Sequence, residues 1–320
     1  NKVVDEWLGR DRREAYGPRC GDAVPVEGGW LNRKWRIRFD GGEALVKEFS
    51  PARYGPEKMA RLESALRRQI FVREKGVPCP AVRLCGGRAV RFAPEGAYAV
   101  MEFCPGRTEG PDTVSLPQLK SLGDVCGRMR RAFSALPSEA EEDFCGGIFR
   151  ALRLHYERAL ADCPPDAPAG YREAVLAMGP AMERISPAFL ARQPRGTGHE
   201  DFAADNILFG PDGVSAVVDF DRSQHGFCLH DAGRAVLSFC LRDGRLLPER
   251  IAAFAAGYAR WYPFGRRELA DALKIAWCVE APWWIRPEFF GECSPKTARF
   301  REELVRLTEM LAEGKEVFGR

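Results

Sequence analysis

No stretch of this 320-residue chain approaches the roughly 20 consecutive apolar residues that a membrane-spanning helix requires. Charge of one sign is not in excess: 48 Lys and Arg face 45 Asp and Glu, a net charge of +3. Such balance lacks the electrostatic footprint of a nucleic-acid or membrane-surface protein, so neither partner is expected. The eleven cysteines are odd in number and no two have C-x-x-C spacing. Scattered thiols of this kind argue against a zinc site or a disulfide framework and read as small buried hydrophobes in a reducing cytosol. The opening residues Asn1, Lys2, Val3, Val4, Asp5 and Glu6 lack the apolar core of a secretory signal. The expected compartment is the cytoplasm. There is no internal repeat, no low-complexity tract and no feature that marks an obligate protein partner. What is present is 45% apolar and 29% charged residues, the composition of an ordinary globular protein, in a chain long enough for two lobes.

The first third has sheet periodicity. Trp35, Ile37 and Phe39 share one face while Arg36 and Arg38 take the other. Asp40, Gly41 and Gly42 form a hairpin turn, and 43–49 is the returning strand. The pattern predicts a helix over 57–75, stopped at Gly76 with Pro78 and Pro80 beyond, then strands over 81–92 and 96–103. The segment Cys104, Pro105, Gly106, Arg107 breaks this order, and helical periodicity follows. Leu116, Leu119, Leu122, Cys126, Met129 and Phe133 form one stripe; Phe144, Ile148, Leu152 and Tyr156 form another. About four helices are expected near the C-terminus. The expected fold class is α+β, with residues 1–104 an antiparallel sheet plus helix and 105–320 a mainly helical lobe.

The densest chemistry lies at His199, Glu200, Asp201, then Asn206, then Asp219, Phe220, Asp221. This reads H-x-D-x₄-N, an apolar run, and D-F-D, with Ile207 to Phe209 and Val214 to Val218 as flanking strands. Asp and Asn are common turn residues, and each alone would read as a cap. Together they match the spacing by which kinases set a proton-accepting carboxylate beside a hydroxyl and oxygen ligands for Mg²⁺ beside ATP. Asp201 is the candidate base, and Asn206 and Asp219 are the candidate metal ligands. Lys47 sits mid-strand, where a cation needs a partner, and period-2 geometry puts Leu45 on its face. One could rest on adenine while the other reaches the phosphates. Glu63, mid-helix, is the chosen partner for Lys47, with Glu57 and Gln69 competing. Gly28 and Gly29 stand where a phosphate-covering loop belongs, although any hairpin turn would use two glycines, and the three-glycine protein-kinase pattern is absent.

On these residues the chain resembles the aminoglycoside phosphotransferase and choline kinase superfamily of small-molecule kinases, which has a two-lobe protein-kinase-like fold. His199, Asp201, Asn206 and Asp219 match its H-G-D-x₄-N and D-F or D-W signature; Glu200 replaces the usual Gly. The resemblance implies that backbone groups of Glu102, Phe103 and Cys104 pair with adenine, with Met101 behind the ring. It also implies that Asn32 contacts a phosphate oxygen, that His199 braces the catalytic loop, and that Asp231 hydrogen-bonds backbone near Asp201. Asp221 is read as capping the following loop rather than as a second metal ligand. The late aromatics Trp277, Trp283, Trp284, Phe289 and Phe290, with Glu280 among them, either pack the last helices or hold a sugar or amine; packing is favoured. Residues 221–320 carry 16 Lys or Arg against 14 Asp or Glu, which modestly disfavours a polycationic acceptor. The implied activity is ATP- and Mg²⁺-dependent phosphorylation of a hydroxyl on a small molecule (an amino alcohol, a sugar or an aminoglycoside). A catalytically silent nucleotide-binding module and a protein kinase stay open as alternatives, although no D-F-G to A-P-E activation segment is present.

Overall fold

The computed structural model describes residues 21–26, 32–50, 54–93, 96–137 and 143–314. A five-stranded antiparallel sheet runs Val24–Pro25, Lys34–Phe39, Gly42–Phe49, Gly96–Glu102, Arg91–Ala93 in spatial order. Alternation decides its faces: Trp35, Ile37, Phe39, Val46 and Val100 form one cluster, while Phe49, Ala99 and Met101 join Leu62 and Leu66 on the other. Those leucines come from the Pro56–Glu74 helix, whose buried positions Met59, Leu62, Ala65, Leu66, Gln69 and Val72 recur every three or four residues. Proline opens this helix, where its missing N–H is harmless, and Gly76 at φ 82° lies just beyond its end.

The strand expected over 81–92 is a correction: only Arg91–Ala93 is strand, and 81–90 holds isolated bridges. Gly86 and Gly87 take φ of 54° and 77°, a left-handed pair that turns the chain instead of extending it.

Past Glu102 the chain is mainly helical. Among the described residues three two-stranded sheets interrupt the helices, and two of them carry the loops that matter. Arg195–Gly198 pairs with Gln224–Phe227, and Ile207–Gly210 with Gly213–Val217. The loop 199–206 therefore leaves one ladder and enters the other, and 218–223 makes the reverse passage. Beneath them lies the fully buried His230–Cys240 helix, packed on Arg266–Trp284. Pro248–Tyr258 and Pro295–Glu313 complete the late helices.

The Leu116–Phe133 helix begins with a Ser115–Gln118 capping box and buries Leu119, Leu122, Cys126, Met129 and Phe133. Leu116, expected in that stripe, is 46% exposed because it lies in the first turn, before the helix meets the core. This helix crosses Pro248–Tyr258 at glycines. A Cβ on Gly257 would collide with the Lys120 carbonyl oxygen, and one on Gly123 with that of Phe254. Backbone cannot swing aside as a side chain can. Gly257→Ala is therefore expected to destabilise by about 3 kcal/mol or more, the upper end of overpacking, read as a lowered denaturant midpoint. An unchanged midpoint would show that the crossing is looser than described.

Candidate active site

Loop 199–206 is held by buried donors and acceptors rather than by helix or ladder. Asp231, from the first turn of its helix, accepts from the His199 N–H (2.8 Å) and the Glu200 N–H (3.0 Å). His199 is wholly buried, with Nε2 3.0 Å from the Val218 carbonyl, so its ring ties this loop to 218–223. Burial keeps that imidazole neutral by pushing its pKa down. The Val218 N–H also donates to the Asn206 carbonyl (2.9 Å). Asn206 Nδ2 donates to the Asp201 carbonyl (2.8 Å) and to Asp201 Oδ2 (3.0 Å). Asp201 thus has its carboxylate fixed by a neutral donor, with Arg222 Nη1 3.9 Å from its other oxygen. Its side chain is about one-third exposed (34%). Burial nevertheless pushes the carboxyl up to about 6; Arg222 opposes the shift and the charge of Asp219 adds to it.

Asp219 has a left-handed backbone, φ 66° and ψ 57°, an uncommon state for a residue other than glycine. That conformation turns its carboxylate back toward the sheet, where Lys47 Nζ lies 2.6 Å from Oδ1 and Lys34 Nζ 3.6 Å from Oδ2. Burial would raise this carboxyl, but Lys47 and Lys34 outweigh it and hold it well below the carboxylate range. Lys47 is 3% exposed, and its Nζ is also 2.7 Å from Asp221 Oδ2. Desolvation disfavours the ammonium, yet the two carboxylates outweigh that and raise its pKa. Burial raises the Asp221 carboxyl, only partly offset by Lys47.

Two expectations need revision. Glu63 does not meet Lys47: its carboxylate accepts from the N–H groups of Ala89 (3.0 Å) and Val90 (2.7 Å) and pairs with Arg67 (3.0 Å). The helix turns that residue toward the 86–90 turn, and Lys47 finds its counter-charges on the 218–223 loop instead. Asp221 is therefore no mere loop cap. The available signal was Lys47 itself, since a cation in mid-strand calls for a paired anion.

Asn32 Nδ2 donates to Asp221 Oδ2 (3.1 Å) and to the Tyr54 hydroxyl (3.2 Å). Met101 is buried in the sheet–helix cluster, with Leu45 partly buried beside it. The Glu102 N–H donates to the Ala81 carbonyl and the Phe103 N–H to that of Glu43, so those donors are used within the lobe. The Glu102 side chain pairs with Arg73 (2.9 Å), and the Arg36 guanidinium lies 4.4 Å over the Phe103 ring. Cys104 is half-buried, and burial pushes its thiol up to about 11. Among the described residues no acceptor faces the Cys104 N–H. Gly28 and Gly29 lie outside the described residues.

On the other side of Asp201 the aromatic cluster mostly packs. Trp277 is wholly buried and donates to Thr308 (2.8 Å); Trp284 donates to Glu280 (2.8 Å) and lies against Phe289 and Phe300; Phe290 meets Tyr171 edge-on. Trp283 is the exception: it is 54% exposed, with the Arg222 guanidinium 5.6 Å and that of Arg286 5.3 Å from its ring centroid.

The donor set of Asn206 and Asp219 is all oxygen, which suits a hard dication. Donation from Asn206 Nδ2 toward Asp201 leaves its Oδ1 on the opposite side of the amide. The buried Asp221 Oδ1 lacks a hydrogen-bond partner and is a third candidate oxygen.

An antiparallel sheet with one packed helix, set against a mainly helical lobe, is the two-lobe protein-kinase-like fold. The chain belongs to the phosphotransferase enzyme family, whose model it matches over residues 22–271. A homoserine kinase of Pseudomonas aeruginosa is 29% identical over 220 residues, covering 66% of this chain, and this chain spans only 65% of that relative's length. A homoserine kinase of Methylobacillus flagellatus is 26% identical over 275 residues, or 83% of this chain and 78% of its own. Among solved structures, an amicoumacin kinase in complex with AMP-PNP and Ca²⁺ superimposes with a TM-score of 0.65 at 14% identity, covering 99% and 97% of the two chains. A choline kinase of Streptococcus pneumoniae gives 0.61 at 14% identity, with 96% and 98% covered. At such identities the likeness shows the fold alone.

Proposed function

We propose that this protein is a kinase that moves the terminal phosphoryl group of ATP, with Mg²⁺, to the hydroxyl of a small molecule bearing an amino group. Homoserine is the first acceptor to test. The observation that carries this reading is the convergence of Asp201, Asn206, Asp219 and Lys47 from three separate segments within one linked set of contacts of 2.6–3.0 Å. The names of the two bacterial relatives support homoserine, and the near-neutral charge of residues 221–320 disfavours a polycationic antibiotic. In this reading residues 1–104 form the nucleotide lobe and 105–320 the acceptor lobe. Ten described cysteines, all free thiols, suit a reducing compartment such as the cytoplasm.

The chemistry assigned to each residue follows from its surroundings. The Asp201 carboxylate accepts the hydroxyl proton as the acceptor oxygen bonds to phosphorus. Asn206 holds that carboxylate by donating to it, and so keeps the accepting oxygen aimed. Asn206 and Asp219 would hold Mg²⁺, which supplies charge neutralisation on the phosphates. Lys47 positions the phosphates, and the Glu102 to Cys104 segment, backed by Met101, takes adenine. Gly28, Gly29 and Asn32 cover the phosphates, and Glu63 acts at one remove by fixing the 86–90 turn beside the helix.

The test is turnover with MgATP over a panel of homoserine, amino alcohols, sugars and aminoglycosides, with phosphorylated product identified by mass. Homoserine phosphate is the expected product. If no acceptor raises ADP formation above the rate with ATP alone, the proposal falls. The pH profile adds a second check. Asp201 must be ionised to accept a proton, and burial raises it to about 6. With the base form lost on acidification, kcat is expected to drop through an acid limb centred near that value. A limb near the ordinary aspartate range, below about 4, would take the role from Asp201.

A further inference from the structure

Glu200 stands beside Asp201 at φ 63°, where a side chain is strained and where glycine would be relaxed. Its carboxylate reaches into a slot kept open by glycines on the two paired strands. A Cβ on Gly198 would come within 2.8 Å of Glu200 Oε1, and one on Gly226 would also strike it. At the slot's end is His230, wholly buried, with Nδ1 3.4 Å from Glu200 Oε2 and Nε2 3.4 Å from Glu280 Oε1. Glu200 and Glu280 are themselves 5% and 4% exposed. The second oxygen of Glu280 accepts from Trp284 Nε1 (2.8 Å), on the helix whose exposed Trp283 sits under Arg222. Arg222 returns to within 3.9 Å of Asp201.

Two carboxylates and an imidazole deep in the protein are hard to desolvate, and apolar side chains of like size would fold as well. Keeping them at a strained position next to the candidate base points to a task. We propose that Glu200, His230 and Glu280 form a buried positioning chain that locks the Asp201 loop to the helix bearing Trp283 and Trp284. The chain holds Asp201 in register with the acceptor side of the cleft, and the inference rests on the reading of Asp201 as the base. The groups acting on His230 are Glu200 from the loop, Glu280 from the Arg266–Trp284 helix, and Asp231 from its own helix, while Arg234 acts on Glu280. Burial alone would make the ring neutral, but Glu200 and Glu280 raise it to about 10, so it bridges them as a cation. Burial pushes the Glu280 carboxyl up, yet His230 and Arg234 outweigh this and bring it to about 2.

Both carboxylates act through one ring, so their removal must not be independent. The experiment compares the parent with Glu200→Gln, Glu280→Gln and the double variant. Glu200→Gly serves as a second probe that relieves the backbone and leaves the slot empty. Each single change should lower kcat by about 10–100-fold with the KM for ATP within about twofold, as misplacement of a group near the chemistry does. The double variant should lose little more than the worse single one. By NMR, the His230 ring (one of four histidines) should stay protonated past neutral pH in the parent and lose that property in the variants.

Losses that multiply in the double variant, unchanged kcat, or a parent ring titrating near an ordinary value of about 6.5 would overturn the proposal. So would a stoichiometric metal ion in the purified parent, since Glu200, His230 and Asp231 lie close enough to ligate one. If the parent turns over no acceptor, the functional reading fails separately. Hydrogen exchange at the amides of 202–206 then decides: faster exchange in the glutamine variants supports the chain, and equal exchange refutes it.

Discussion

Asp201→Asn is expected to lower kcat by about 10²–10⁴-fold while leaving MgATP binding nearly intact and making the protein slightly more stable. The opposite signs come from one cause. An ordinary aspartate carboxyl has a pKa near 3.8, and burial raises that of Asp201 to about 6. The folded protein therefore holds the protonated form more tightly than the unfolded chain does. By linkage, this group's contribution falls as pH climbs from about 4 to about 6, and the full penalty for the charged form is present at neutral pH. Its side chain is 34% exposed, and solvent screening trims the penalty to about 1 kcal/mol. Asparagine has the same shape and still offers an oxygen to Asn206 Nδ2, so the loop keeps its bond and loses its charge. A rise of about 2 °C in Tm at pH 7 is the expected readout, shrinking toward pH 4 where the parent carboxyl is itself neutral. The MgATP-induced thermal shift should match the parent, because Asp201 is not among the proposed ligands. A variant retaining more than a tenth of parental kcat would remove Asp201 from the proton-transfer step. A lower Tm would show that its charge is better satisfied than its surroundings indicate.

The two-lobe fold was readable because its signals are local. Strand alternation at Trp35, Ile37 and Phe39, the proline and glycine bounds of the first long helix, and the helical stripes after Arg107 each need only a few neighbouring residues. The order of Asp201, Asn206 and Asp219 was readable for a similar reason: short loops between paired strands restrict how far apart such residues can fall. What escaped was register across the chain. Whether Lys47 meets Glu63 or Asp221 depends on how far the Pro56–Glu74 helix is rotated, and a turn at Gly86 and Gly87 draws Glu63 the other way. Glu200 could be seen as unusual, but the slot that admits it is made by Gly198 and Gly226 on paired strands. Glu280 gave no sign of its partner, because His230 lies fifty residues earlier and neither is spaced to suggest the other. Trp283 and Trp284 are neighbours with opposite fates, one exposed and one packed, and helix phase alone separates them.

Lys47→Met should be the most damaging single change on the nucleotide side, because it removes the cation that two buried carboxylates share. Asp219 Oδ1 lies 2.6 Å and Asp221 Oδ2 2.7 Å from Nζ. Among the described residues, Lys34, 3.6 Å from the far Asp219 oxygen, and the Asn32 amide, 3.1 Å from Asp221, are left in contact to offset them. Breaking a buried pair by removing one partner typically costs about 3–5 kcal/mol, since the surviving charge stays desolvated. Two like charges at close range also discourage each other's ionisation, so in the variant one carboxyl takes a proton. The sign of the pH effect follows. In the parent, Asp219 is held well below the carboxylate range, so its stabilising contribution is present above the unfolded value and disappears only in strong acid. In the variant that contribution is gone and protonation relieves the repulsion. The stability gap between the two proteins is therefore expected to be widest at pH 7 and above and to narrow toward pH 5. Adding Asp221→Asn to Lys47→Met removes the surplus charge and should restore a substantial part of the lost stability without restoring turnover. Mg²⁺ alone should raise the Tm of the single variant more than that of the parent, because two uncompensated carboxylates attract a dication. Denaturant melts at the two pH values, with and without Mg²⁺, read all three effects. A variant as stable as the parent at pH 7, or one that turns over MgATP normally, would mean that the short contacts of Lys47 hold neither the lobes nor the phosphates.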